Sequence, residues 1–143
     1  VKGFIPNEYV PDLNQRLDLY RRIQLAADIN ESMALSREMI DRFGPYPESI
    51  EKLLALLEIR IFCQKLHINQ VYMKNGKVFM TLLPSTPVRP ESLAVILDER
   101  LKMLSEFEIG ILLDRKGWKT DLKVVSKYLQ KLLKLLNAEK ILL

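Results

Sequence analysis

The sequence predicts an α+β fold: an N-terminal helical part, followed by a small β-sheet (a hairpin plus one or two further strands) packed with C-terminal helices. Three observations carry this. Apolar residues recur at helical spacing through the first part of the chain. Asn75-Gly76 then separates two alternating, β-rich segments, the signal of a two-residue hairpin turn. A leucine-rich segment of helical period lies near the C-terminus, so helices come first and mixed strands and helices after them.

Residues 1–10, with Phe4-Ile5-Pro6 followed by Tyr9-Val10-Pro11, carry too much proline for a central strand and read as an extended lead-in with at most a short edge strand. Asp12 is placed to cap a first helix over about 13–29, and its spacing to Gln15 is that of a capping box. Leu13, Leu17, Tyr20, Ile23 and Ala27 would form the buried stripe of that helix, leaving Arg16, Arg21 and Arg22 on its polar side. A second helix over about 31–43 follows Asn30 and turns Ala34, Leu35, Met39, Ile40 and Phe43 inward. The third runs from Pro47 to about Leu66 on a stripe of Ile50, Leu53, Leu54, Leu57, Ile61 and Leu66. Glu48 and Glu51 lie near its positive end, Arg60 and Lys65 near its negative one.

The Asn75-Gly76 hairpin joins Val71-Tyr72-Met73 to Val78–Leu82, and Pro84, Pro87 and Pro90 stiffen the loop beyond it. A fourth helix opens near Pro90 and buries Leu93, Ile96, Leu97 and Leu101. Phe107–Leu113 alternates like a strand and would join the hairpin in an antiparallel or mixed sheet. The last helix, over about 121–136, buries Leu122, Val125, Leu129, Leu132, Leu133 and Leu136.

Asp41-Arg42-Phe43-Gly44-Pro45-Tyr46-Pro47 is the most informative stretch. Gly44 is the residue best able to take the left-handed conformation just past a helix end, Pro45 forbids continuation, and Pro47 suits the first turn of the next helix. Arg42 can bond the last carbonyls and is favoured by the macrodipole, whereas Asp41 needs a donor elsewhere. The stretch is a well-made helix stop.

At 143 residues and 48% apolar content the chain matches one domain with a soluble core. It begins with Val1, shows no signal-peptide pattern, and has no run long enough for a membrane helix, so a piece of a cytoplasmic protein is expected. The single cysteine, Cys63, has no second thiol for a disulfide or metal site and reads as a buried structural thiol. Net charge is +4 and uneven: Arg115, Lys116, Lys119, Lys123, Lys127, Lys131, Lys134 and Lys140 face only Asp121 and Glu139 in the last segment. Such a segment attracts nucleic acid or an acidic protein face.

Chemistry-bearing motifs of comparable specificity do not appear. Gly117-Trp118-Lys119-Thr120 lacks the glycine spacing and the lysine position of a phosphate-cradling loop. His67, the one histidine, cannot build a histidine metal cluster and reads as a helix-end group that caps carbonyls. Asp98 with Glu99, and Glu106 with Glu108, read as solvated surface charge. Lys123, Lys127, Lys131 and Lys134 share one side of the last helix and could meet phosphates or an acidic partner, although Trp118 and Tyr128 stand isolated and offer no aromatic platform.

Tyr9-Val10-Pro11-Asp12, Arg16-Leu17, Tyr20-Arg21-Arg22-Ile23, Asp41–Pro47, Leu53-Leu54 and Lys65-Leu66-His67-Ile68 together resemble, in order and spacing, the C-terminal domain of bacterial transcription-repair coupling factors. The resemblance covers nearly the whole chain, through motifs from Tyr9 to Ile68 and through element order beyond the hairpin. His67 stands where the family commonly has glycine, and Tyr46 where leucine is usual. Members are large multidomain ATP-driven DNA translocases that displace stalled RNA polymerase and recruit the excision-repair protein UvrA. The resemblance implies that residues 1–143 are a single regulatory domain excised from such a protein, without its motor.

It further implies a domain that docks in cis on the UvrB-like N-terminal region, masks the UvrA-binding surface and restrains the translocase until release. No catalytic residue, cofactor or membrane is implied. The direct partners would be other domains of the same polypeptide, with UvrA, RNA polymerase and DNA reached through the parent protein. On composition alone the candidate docking faces are Arg16, Arg21 and Arg22, or the stripe Lys123, Lys127, Lys131 and Lys134. The alternative is a small basic accessory DNA-binding domain.

Overall fold

The computed structural model describes the backbone of residues 3–142 and the side chains of residues 3–137. Val1, Glu139 and Lys140, which entered the terminus and charge arguments, lie outside the described side chains. The elements follow in the order α1 (Leu13–Leu25), α2 (Ile29–Phe43), α3 (Glu48–Leu66), β1 (Ile68–Lys74), β2 (Lys77–Leu82), α4 (Pro90–Ile96), β3 (Leu101–Ser105), β4 (Glu108–Leu112) and α5 (Trp118–Leu142). This is the α+β arrangement the sequence predicts. The chain divides into two compact units, Val1–Ile61 and Phe62–Leu143.

In the first unit Asp12 caps α1 as expected, its Oδ2 accepting from the Gln15 N–H at 2.9 Å. The helix ends at Leu25, about four residues sooner than predicted, because the next cap sits at Asp28 rather than Asn30. Asp28 Oδ1 accepts from the Glu31 N–H at 2.8 Å while Glu31 Oε2 accepts from the Ala27 N–H at 3.1 Å. These bonds satisfy donors that have no partner inside α2 and start it at Ile29. The opening segment is a turn rather than an edge strand: Tyr9 and Val10 both donate to the Pro6 carbonyl.

The core of this unit gathers Ile5 and Val10 with Leu19, Ile23 and Ala26 of α1, Leu35 and Met39 of α2, and Ile50, Leu57 and Ile61 of α3. The α3 stripe is the predicted one. That of α1 is not: Leu13 and Leu17 are 58% and 56% exposed, Tyr20 and Ala27 also face outward, and Leu19 takes the central place. On α2, Ala34 and Ile40 are exposed, Phe43 is half-buried, and Ser32 is buried beside Leu35 and Met39.

In the second unit Asn75 and Gly76 have φ of 53° and 73°, the paired positive angles of a type I′ turn, and Lys74 faces Lys77 across it. The sheet is antiparallel throughout with strand order β1-β2-β4-β3. β3 was not predicted, since Leu101 reads by periodicity as the end of the fourth helix. That helix stops at Ile96 because Leu97 leaves helical geometry at ψ 138° and Asp98 Oδ1 then takes the N–H groups of Arg100 and Leu101, both at 2.8 Å. The local turn outcompetes further helix. Val78, Met80, Leu82, Leu101, Ile109 and Ile111 are buried.

α4 packs against α5. α5 begins at Trp118, three residues before the expected start, after Gly117 with φ 114°. Val125, Leu129, Leu132 and Leu136 form its buried stripe as predicted, with Leu122 and Leu133 half-buried.

Candidate docking surfaces

The Asp41–Pro47 stretch is a structural corner. Gly44 takes φ 87° and ψ −173° and donates its N–H to the Ile40 carbonyl at 2.9 Å, ending α2. The Tyr9 hydroxyl donates to the carbonyls of Gly44 at 2.7 Å and Met39 at 3.0 Å, and its ring lies 5.7 Å from that of Phe43. The Arg42 guanidinium lies over the Phe43 ring at 4.9 Å, and the Tyr46 hydroxyl pairs with Ser36 Oγ at 3.0 Å. The Pro47 carbonyl accepts from Ile50 and Glu51, opening α3, while Asp41 and Pro45 remain exposed. Tyr9-Val10-Pro11 and the helix stop, distant in sequence, thus form one packed unit.

The predicted arginine face is largely consumed by the fold. Arg16 donates to the carbonyls of Val10 and Pro11 at 2.7 and 2.9 Å, fastening the lead-in to α1. Arg22 grips Glu38 of α2 with both guanidinium nitrogens, at 2.5 and 3.0 Å, and Arg42 adds a third contact at 3.0 Å. The hydrogen bond from Arg22, followed by that from Arg42, holds the Glu38 carboxyl below its ordinary range, against the opposing effect of partial burial. Only Arg21 stays at the surface, in an exposed pair with Asp18 at 2.9 Å. Arg60, which the sequence reading assigned to the end of its own helix, instead donates to the carbonyls of Ile23, Gln24 and Ala26 at the end of α1.

The lysine stripe is arranged differently. Lys123, Lys127 and Lys134 are exposed, and Lys131 is half-buried. At 100° per residue they occupy the side of α5 opposite Val125, Leu129, Leu132 and Leu136. None of the four forms an ion pair among the described residues.

Tyr128, read from sequence as isolated, is buried, with the Lys131 ammonium 5.1 Å and that of Lys127 5.9 Å from its ring centre. Its hydroxyl donates to Asp98 Oδ2 at 2.5 Å, so Asp98 is not a merely solvated charge: this bond and those from Leu101 and Arg100 lower its pKa to about 2.

The reading of Cys63 holds, whereas His67 keeps its place at the helix end but turns its side chain to Ser85, and Thr86 Oγ1 takes the Leu66 carbonyl instead. Cys63 is buried, and burial pushes its thiol up to about 11, which leaves it a poor nucleophile at neutral pH. His67 ends α3 in the left-handed region at φ 54°, its Nδ1 2.9 Å from Ser85 Oγ.

One surface escaped the sequence reading. Tyr72 of β1 and Phe79 of β2 are cross-strand neighbours whose rings stack at 5.1 Å with 17° between planes, on a sheet face that also carries Lys77 and Lys102. The signal was present, since an Asn75-Gly76 turn pairing Lys74 with Lys77 forces Tyr72 opposite Phe79.

Comparison with known proteins gives one family. The family model of the TRCF domain matches residues 1–93. Transcription-repair-coupling factors are similar: that of Bacillus subtilis at 33% identity over 80 residues, 56% of this chain and 7% of that protein, and that of Rickettsia bellii at 43% over 68 residues, 48% of this chain and 6% of that protein. The Escherichia coli protein shares 38% over 69 residues, 48% of this chain. The alignments thus cover only 6 to 7% of the length of these curated relatives. A crystal structure of the C-terminal domain of a transcription-repair coupling factor superposes with TM-score 0.83 at 20% identity, covering 96% of this chain and 91% of the other, a likeness of fold.

Proposed function

Since the chain belongs to the TRCF domain family, we propose that it is the non-catalytic regulatory domain of a transcription-repair coupling factor, docking in cis on the UvrB-like region of its parent protein. In this reading the docked domain masks UvrA binding and restrains a DNA translocase that displaces stalled RNA polymerase. Release exposes the masked surface when another ligand favours the open form, so the domain acts through a shift of population rather than through chemistry.

The observation that carries this reading is the contrast between the two basic faces. Arg16 and Arg22 hold α1 to its neighbours, while Lys123, Lys127 and Lys134 stand exposed and, among the described residues, without ion-pair partners on the side of α5 that the core does not use. A tethered partner raises effective concentration, so a modest set of polar contacts on that side suffices for docking.

The decisive experiment is pull-down of the remainder of the parent protein by this domain, with and without Lys123→Glu, Lys127→Glu and Lys134→Glu together. The triple variant is expected to keep its melting temperature, lose capture of the remainder, and increase UvrA binding by the full-length parent. Capture and UvrA binding that match those of the unaltered protein would remove α5 from the docking surface.

A further inference from the structure

Tyr72, Phe79, Gly110 and Lys102 lie in register across all four strands, Tyr72 opposite Phe79, Phe79 opposite Gly110, and Gly110 opposite Lys102. Residues in register share a face, and here it is the one opposite Val78, Met80, Ile109 and Ile111, which are buried. Two residues along, Lys74, Lys77 and Leu112 form a second row on that face. The open side of the sheet therefore presents a stacked aromatic pair with lysines on two of its borders.

Three details make this surface more than a solvated sheet. Tyr72 is 41% exposed although it stacks on Phe79, so part of this edge-strand side chain stays accessible to a flat ligand. Gly110 keeps the centre low: a side chain there would begin 3.3 Å from Leu104 and 3.9 Å from Phe79. The resulting depression, of about 170 Å³, is bounded by Lys77, Arg100 and Lys102. Lys74 and Lys77 face each other directly, a like-charge pair that costs stability. Neither of them, nor Lys102, has an ion-pair partner among the described residues.

The negative groups nearby are Asp114, which is engaged by Arg100 at 2.7 Å, Glu99, at the edge of the depression, and Glu108, which pairs with Thr81 one row beyond Phe79 and Gly110 on the same face, on the side away from Lys74 and Lys77. Three cations without ion-pair partners among the described residues, on the same sheet face as a stacked aromatic pair, match a ligand that offers flat rings and phosphates together. A duplex hides its ring faces, and an acidic peptide makes no use of a stacking surface.

We propose that this open sheet face binds single-stranded nucleic acid, a base stacking on the Tyr72–Phe79 pair while Lys74, Lys77 and Lys102 hold adjacent phosphates. The site is separate from the lysine stripe of α5, so it stands or falls independently of the docking reading. The test is fluorescence anisotropy of a labelled oligothymidine of about 20 nucleotides with the 143-residue chain, between roughly 50 and 200 mM salt, with a duplex of equal length alongside.

Single strand should bind at least tenfold tighter than duplex. Lys77→Glu with Lys102→Glu should weaken it tenfold or more and flatten the salt dependence by roughly 1.4 in log–log slope, the value for two lost phosphate contacts. Tyr72→Ala should weaken binding about tenfold with the slope unchanged, because stacking releases no counterion. Circular dichroism and melting of each variant check folding.

The proposal is overturned by absence of binding at the lowest salt, or by loss only on Lys123→Glu with Lys127→Glu, which places the contact on α5. It is equally overturned if a glutamate-rich peptide displaces the oligonucleotide while Tyr72→Ala changes nothing, since the face would then be a plain site for acidic peptides.

Discussion

The Tyr128 hydroxyl donates to Asp98 Oδ2 at 2.5 Å, fastening α5 to the turn that follows α4. The other carboxylate oxygen accepts from two backbone N–H groups, so both oxygens of Asp98 are engaged by the fold. The hydroxyl is the largest cause of the lowered Asp98 pKa, and burial, followed by the same hydrogen bond, raises that of Tyr128 to about 12.

Stability should therefore depend on pH in a defined window. A carboxyl whose pKa falls from 3.8 to about 2 on folding contributes fully above pH 4, and the contribution is lost as pH drops toward 2. Tyr128→Phe is expected to cost about 1 kcal/mol at neutral pH, less than a buried charged hydrogen bond because Asp98 is solvent-exposed. Urea unfolding at neutral and acidic pH should show the wild type and the variant converging toward pH 2. A gap of the same size at both would mean that the phenol contributes by packing alone.

Arg60 spans the last carbonyls of α1 at 2.7, 2.9 and 3.1 Å, a geometry that needs a planar fork of donors. Arg60→Ala should destabilise by about 2 kcal/mol, since it leaves helix-end carbonyls without partners at a half-exposed site. Arg60→Lys should recover less than half of that. Full rescue by lysine in denaturant titrations would show that charge near the helix end, rather than the fork, is what matters.

Strong single signals made α3, the hairpin and α5 legible in the sequence: an unbroken stripe, an Asn75-Gly76 turn, and leucines at helical period. The stripe of α1 was misread because two apolar rows compete on that helix, and periodicity cannot say that Leu19 rather than Leu17 meets Leu35 and Met39 in the core. β3 was hidden because Leu93, Ile96, Leu97 and Leu101 satisfy a helical period, while the Asp98 side chain that breaks it acts through two backbone hydrogen bonds. The lysines of α5 were legible as a stripe. That Arg16 and Arg22 are spent within the fold was not, because Val10 and Glu38 reach them only once the helices have packed.

Gly44 should tolerate no other residue without cost. At φ 87° and ψ −173° it lies outside the left-handed helical well, in a region nearly closed to residues with a β-carbon. A methyl group there would meet nothing within 4 Å, so the expected penalty is conformational. Gly44→Ala and Gly44→Asn should each lose about 2 kcal/mol, asparagine gaining nothing from its usual left-handed tolerance. A thermal shift for asparagine much smaller than for alanine would place this residue in the ordinary left-handed well instead.

His67 offers the opposite experiment, a position where glycine should improve the protein. Its φ of 54° is the left-handed region, which costs a residue with a β-carbon about 1–2 kcal/mol. The backbone bonds from the His67 N–H to the Gln64 carbonyl, and from the Leu83 N–H to the His67 carbonyl, need no side chain and are kept by glycine and alanine alike. What glycine loses is the exposed ring contact to Ser85 and about 0.4–1 kcal/mol of unfolded-state entropy. The balance favours His67→Gly by about 0.5 kcal/mol, whereas His67→Ala keeps the strain, drops the ring contact and should fall below the wild type. Melting temperatures in the order glycine, histidine, alanine are expected. If alanine matched or exceeded glycine, the backbone at this helix-to-strand junction would have relaxed out of the left-handed region, and the strain assigned to it would be absent.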